Sequence, residues 1–238
     1  MHKTTVRNEH AYYCCIAQLL SIPYQGGNTE QTHMSATLPP LIVCGDSHSL
    51  TSAWRKCNNR WIQPLLVTGL KAWHLREESE FYPKKNFNNA MQCIPAGTDV
   101  VFLFCEIDCR EGILMAVEKD RYSNVEEGIQ TNVQIYITTL LQVKTTRQIH
   151  RLYVHPIPPV LDATRSMVLT FNRILRQAVE KTKGTLLWLN FEEELVETTA
   201  VGKIALRKSL ELDGTHMSPV YVPFMAKALG KWSNPTVD

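Results

Sequence analysis

Five short runs of apolar residues punctuate the chain, at 41–44, 64–68, 100–105, 151–155 and 185–190. Each is apolar at successive rather than alternate positions, so each reads as a strand buried on both faces. Two long segments between them have the three-and-four spacing of a helix instead. The first, 124–143, is opened by Ser123 with Glu126 three residues on, a capping box. The second, 163–181, gathers Met167, Val168, Phe171, Leu175, Ala178 and Val179 on one side, and Gly184 supplies its stop. Strands of this kind, alternating with helices of this length, imply a parallel sheet covered on both sides. The expected architecture is a three-layer α/β/α fold with a five-stranded parallel sheet.

Ahead of this pattern, 11–20 reads as an amphipathic helix, with Tyr12, Tyr13, Ile16, Leu19 and Leu20 at near-helical spacing, and 25–37 as a polar surface loop. The chain therefore divides into an N-terminal helix and loop extension, 1–37, and one domain, 38–238. Segments 76–92 and 111–123 read as loops that would shape specificity. No internal repeat or low-complexity tract breaks the order.

Composition narrows the class. With 238 residues and 44% hydrophobic content the chain can bury one full α/β core. Its formal charge of +2 is dispersed, so it carries no footprint of a nucleic-acid binder. No apolar stretch approaches the roughly 20 residues that cross a bilayer, and the start lacks the charged opening and cleavage site of a signal peptide. A cytoplasmic location is expected. The seven cysteines (14, 15, 44, 57, 93, 105 and 109) contain no Cys-x-x-Cys pair and several lie in apolar runs, so they read as reduced core thiols and no metal site is expected.

In open parallel sheets ligands bind outside the carboxyl ends of the strands, which directs attention to the residues after each run. After the first stand Gly45-Asp46-Ser47-His48-Ser49, where a turn exposes the serine hydroxyl and the next helical turn offers backbone N–H groups to an oxyanion. Gly-Asp-Ser is equally an ordinary turn and N-cap sequence, with Asp46 fixing the turn. Near the other end, Asp213-Gly214-Thr215-His216 precedes Ser218-Pro219 and an apolar helix, so an acid and an imidazole share one loop. A nucleophilic serine needs a base within hydrogen-bond reach, and that base needs an acceptor to fix its tautomer. Ser47, His216 and Asp213 supply these three roles.

These blocks resemble the SGNH, or GDSL-like, superfamily of serine esterases and lipases. That superfamily has its nucleophile in Gly-Asp-Ser after the first strand and an Asp-x-x-His block near the C-terminus. The similarity spans residues 39–229. It implies a flavodoxin-like SGNH hydrolase fold, Ser47 as nucleophile, and Asp213 and His216 as the final block. It also implies that Gly69, after the second strand, lends its backbone N–H to the oxyanion hole. The third block departs from the pattern: where the family has Gly-x-Asn-Asp, this chain has Cys105-Glu106-Ile107-Asp108-Cys109-Arg110, so Ile107 stands in place of the oxyanion asparagine. Arg110 could substitute as donor, bind an anionic substrate group, or pair with Glu106 or Asp108. Asp108 is counted with the oxyanion and substrate-binding group. His48 and His155 are wall residues of the same pocket, with a surface histidine and a hydrogen-bonded strand-end residue as the respective alternatives.

Two functions follow. One is a cofactor-free serine esterase that hydrolyses or transfers a small acyl group on a sugar- or lipid-type alcohol. The other is an SGNH-fold binding or assembly component with little turnover, favoured by the missing asparagine, whose N-terminal helix would dock a protein partner.

Overall fold

The computed structural model describes residues 38–233, together with 16, 17, 19 and 20. Those four are helical, and the rest of the 1–37 extension lies outside the described residues.

The core is a six-stranded sheet in the order β2-β3-β1-β4-β5-β6. Its strands are β1 (Pro40–Gly45), β2 (Lys56–Cys57), β3 (Arg60–Leu66), β4 (Val100–Leu103), β5 (Leu152–Val154) and β6 (Leu187–Trp188). Five of them, β3, β1, β4, β5 and β6, are parallel, in register Ile42↔Gln63, Ile42↔Val100, Val100↔Leu152 and Tyr153↔Leu187. The two-residue edge strand β2 runs antiparallel to β3 and brings the sheet from the expected five strands to six. It is too short to leave an apolar signature of its own.

Alternation sorts the strand side chains onto two faces. Ile42, Cys44, Val100, Phe102, Leu152 and Val154 enter one buried cluster, whereas Leu41, Val43, Val101 and Tyr153 enter the other. The first face is covered by three helices, α1 (Tyr82–Gln92), α3 (Val125–Thr146) and α4 (Arg165–Glu180). The second is covered by the C-terminal helix α5 (Val222–Ser233) and a small hairpin of β7 (Val196–Thr198) and β8 (Ile204–Leu206). This is a three-layer α/β/α fold.

Helix α3 differs from expectation at its start. Asn124, not Ser123, is the N-cap and accepts from the Glu127 N–H, while the Glu127 carboxylate accepts from the Ser123 N–H at 2.6 Å. The cap lies one residue later than expected, and the returning carboxylate bonds the residue before the cap instead of closing a box on the N-cap N–H. Along α4, Val168, Phe171, Leu175 and Val179 are buried and Met167 and Ala178 pack at the margin. Both segments read as loops contain helices: α1 lies in 76–92, and 111–123 holds α2 (Ile113–Glu118), which continues a π-helical turn at Asp108–Gly112.

Candidate active site

The first element of the site is the turn after β1. Gly45 sits so close to β4 that a Cβ built there would lie 1.8 Å from the Leu103 carbonyl oxygen, and only glycine lets the two strands meet at this point. Asp46 then caps a 3₁₀ turn (Ser47–Ser52): its Oδ1 accepts from the His48 N–H at 3.0 Å, and the Ser49 hydroxyl donates to its carbonyl at 2.8 Å. Every residue from 41 to 52 is buried except Ser47. The capping function assigned to Asp46 and the exposure of the serine are thus products of one turn.

The second element is the loop before α5. A bridge between Glu211 and Met217 pinches it, and Gly214 takes a left-handed φ of 78° at its tip. Asp213 Oδ1 accepts from the N–H groups of Thr215 at 2.9 Å and His216 at 2.7 Å. Its other oxygen lies 2.7 Å from His216 Nδ1, and His216 Nε2 lies 2.8 Å from Ser47 Oγ. Burial pushes the Asp213 carboxyl up, but the His216 ring and the two backbone N–H groups outweigh it and hold the group at about 2. An ionised Asp213 accepts from Nδ1–H, which leaves Nε2 as the acceptor facing the serine hydroxyl. The structure brings these three residues into one hydrogen-bonded chain.

Third comes the segment after β4. Cys105 adopts a φ of 94°, a left-handed conformation that favours glycine, and the chain turns there into the π-helical segment. Asp108 is fully buried and faces the loop after β3: Oδ2 accepts from the Ala72 N–H at 2.7 Å and Oδ1 from that of Trp73 at 3.3 Å. Burial pushes its carboxyl up to about 7, against the pull of those N–H groups and of Lys71. Asp108 therefore shapes the loop that begins at Gly69. Gly69 itself has a φ of 64°, with nothing closer than Tyr82 Oη at 3.8 Å to an added Cβ, so its constraint is conformational.

Arg110 takes the pairing alternative, with Nη1 at 3.6 Å from Glu106 Oε2 and Nε at 3.7 Å from Glu111. Glu106, which the sequence offers only as a partner for Arg110, is 1% exposed and also lies 3.4 Å from His48 Nε2. Burial raises its carboxyl, but His48, Arg110 and His216 together hold it below the ordinary glutamate value. His48 is buried against His216 rather than on the surface. Nothing in sequence spacing announces this carboxylate; an arginine four residues on was the one available signal.

His155 ends β5 and is buried. Its Nδ1 donates to the Pro156 carbonyl at 2.5 Å, and its ring meets Phe191 and Tyr221 edge-on. Burial drives its pKa down to about 3, so it is a neutral packed ring. The strand-end alternative describes it.

No family model and no curated protein matches this sequence. Among solved structures, a candidate platelet activating factor from Streptococcus pneumonia superposes with a TM-score of 0.56 at 12% identity, covering 98% of this chain and 100% of that one. The chain shares that protein's fold. The acetylxylan esterase Axe2 from Geobacillus stearothermophilus gives a TM-score of 0.49 at 14% identity, covering 80% of this chain and 92% of that one. For the psychrotrophic esterase EstA from Pseudoalteromonas sp. the figures are 0.43, 16%, 82% and 98%. Identities this low speak to fold and not to activity.

Proposed function

We propose that this protein is a serine esterase of the SGNH type, acting on a small acyl group carried by a sugar- or lipid-type alcohol. The observation that carries the reading is the chain Ser47 Oγ to His216 Nε2 at 2.8 Å and His216 Nδ1 to Asp213 at 2.7 Å. Ser47 Oγ attacks the ester carbonyl while Nε2 takes its proton, and the new imidazolium is stabilised by ionised Asp213. The tetrahedral oxyanion rests on backbone N–H groups of Ser47 and Gly69. Collapse breaks the C–O bond, and Nε2–H protonates the departing alcohol. Water repeats the sequence on the acyl-enzyme, releasing the acid and regenerating Ser47; a second alcohol in place of water would give acyl transfer.

One observation favours a second reading, a binding or assembly component with little turnover. Ile107 occupies the position of the family's oxyanion asparagine, and Arg110 is turned to Glu106 and Glu111. Loss of one oxyanion donor commonly costs about 10²–10³ in turnover.

Purified protein, Ser47→Ala and His216→Ala are compared on short-chain p-nitrophenyl esters, with a fluorophosphonate probe for the activated serine. Turnover and labelling present in the wild type and lost in both variants support the esterase. A well-folded wild type that neither turns over nor labels overturns it in favour of the binding component.

A further inference from the structure

Adjacent strands deliver Ser47 and Gly69 to the same edge of the sheet. β1 and β3 run parallel with Gly45 opposite Leu66, and the Val67 N–H donates to the Gly45 carbonyl at 2.7 Å. Ser47 follows one partner of that bond by two residues, and Gly69 follows the other by two. Their backbone N–H groups are the two donors proposed above for the oxyanion. A side-chain donor is missing, because Ile107 stands at the asparagine position and Arg110 is turned to Glu106 and Glu111.

One hydroxyl stands beside this pair. Chain neighbours aside, Tyr82 Oη at 3.8 Å is the one heavy atom among the described residues within 4 Å of a Cβ built on Gly69. The space that a side chain would fill therefore opens onto a phenol O–H. Tyr82 is half-exposed, and its hydroxyl has no hydrogen-bond partner among the described residues. Its place is fixed by the same loop. The Tyr82 ring packs on Phe81, their centroids 4.7 Å apart, and Phe81 packs on His74 at 4.9 Å. His74 Nδ1 accepts in turn from the Lys71 N–H at 3.3 Å. From the first turn of α1, Lys84 Nζ donates to the carbonyls of Arg76 at 2.6 Å and Glu77 at 2.7 Å. Asp108 holds the loop at Ala72 and Trp73. One assembly, closed on the segment after β4, thus carries both Gly69 and the hydroxyl, and an oxyanion donor is effective when it is held in advance in this way.

We propose that Tyr82 is a further catalytic residue, whose hydroxyl donates a hydrogen bond to the oxyanion in place of the asparagine side chain. The proposal rests on the esterase reading above. No proton is transferred in this step: Tyr82 keeps its hydrogen, and the bond strengthens as the carbonyl oxygen gains negative charge and weakens again when the tetrahedral intermediate collapses. A donor drawn from another element is what lets the site dispense with the asparagine.

Tyr82→Phe keeps the row of rings and removes one oxygen, so the melting temperature is expected to stay unchanged. On p-nitrophenyl acetate kcat and kcat/KM are expected to fall together by about 10–100-fold, with KM within about twofold, because the hydroxyl acts in the transition state. Water partly replaces a half-exposed donor, which keeps the loss below that of a buried one. The affinity of a trifluoromethyl ketone, whose hemiketal with Ser47 places an oxyanion at the same point, falls by the same factor. With the wild type active, an unaltered kcat in Tyr82→Phe, a change confined to KM, or a fall in kcat without the matching loss of ketone affinity overturns the role of Tyr82 and leaves the esterase reading intact. A wild type that neither turns over nor takes the fluorophosphonate label overturns both.

Discussion

His48 and His216 lie ring to ring, their centroids 4.9 Å apart and their planes tilted by 53°. The far side of His48 meets the buried Glu106, which Arg110 approaches from the surface. A buried carboxylate close to the proposed base stabilises an imidazolium there more than a neutral imidazole, because the interaction is poorly screened. The groups in this cluster are Asp46 and His48 after β1, Glu106 and Arg110 after β4, and Asp213 beside His216. In the proposed reaction Glu106 acts on the proton transfer through the charge it presents to His216.

Glu106→Gln is expected to keep the fold while removing that charge. Without it His216 is harder to protonate, so the acid limb of the kcat/KM profile moves to lower pH, by about half to one unit. The plateau falls as well, since the imidazolium formed in the transition state loses a stabilising partner. A pH–rate profile superimposable on wild type would remove Glu106 from the mechanism.

Asp213→Asn is expected to lower kcat by about 10³–10⁴ with little change in KM, because the amide can present an N–H to Nδ1 and favour the wrong tautomer. The same aspartate has a stability signature. Its folded pKa is depressed to about 2 from 3.8, so its contribution is fully present above about pH 4 and lost as pH falls from about 4 to 2. The side chain keeps some contact with solvent, which screens the interaction and limits the effect to about 1 kcal/mol. Acid unfolding of wild type and variant, compared over that window, checks the sign: the difference closes at the acid end.

Much of this was legible in the chain, for reasons that differ by element. Strands β1, β4 and β5 announced themselves because both faces are buried, as at Leu41, Ile42, Val43 and Cys44, whereas β3 buries only Ile62. Edge strand β2 was not readable from two residues. Helix α1 was hidden because its buried residues are only Pro83, Phe87, Ala90 and Met91 amid lysines and asparagines, although Pro83 in its first turn was a start signal. In the site, Ser47 and His216 are 169 residues apart, and only their places at strand ends and loops connected them. The roles of Asp108 and Glu106 depend on which way a buried carboxylate turns. That is decided by packing around the segment after β4, and no local pattern encodes it.

Asp108 has the opposite pH signature to Asp213. Its folded pKa is raised to about 7, so the folded state holds its proton more tightly than the unfolded chain between about pH 4 and 7. Stability from this group therefore falls as pH rises through that window. For a fully buried carboxyl the loss is on the order of 3 kcal/mol by pH 8. Asp108→Asn, neutral throughout, is expected to flatten the slope of stability between pH 5 and 8. It also leaves one of the Ala72 and Trp73 N–H groups without an acceptor, at a cost of about 1–3 kcal/mol at low pH. Urea unfolding across the range reads both effects, and parallel wild-type and variant slopes would refute the assignment.

Gly45 is the residue on which the geometry of the serine turn depends. In Gly45→Ala the new methyl would begin 1.8 Å from the Leu103 carbonyl, a backbone atom that cannot swing aside as a side chain would. Relief requires β1 and β4 to separate at the end of their pairing, where Gly45 faces Leu103. Separation there displaces Asp46, whose carbonyl and carboxylate fix the turn carrying Ser47. The expected outcome is destabilisation by about 3 kcal/mol or more, with loss of fluorophosphonate labelling in whatever protein remains folded. Gly230, where an added Cβ meets nothing within 4 Å, is the control position: Gly230→Ala should retain both stability and labelling. Thermal unfolding and probe labelling of the two alanine variants, side by side, separate a close-approach glycine from a merely permissive one.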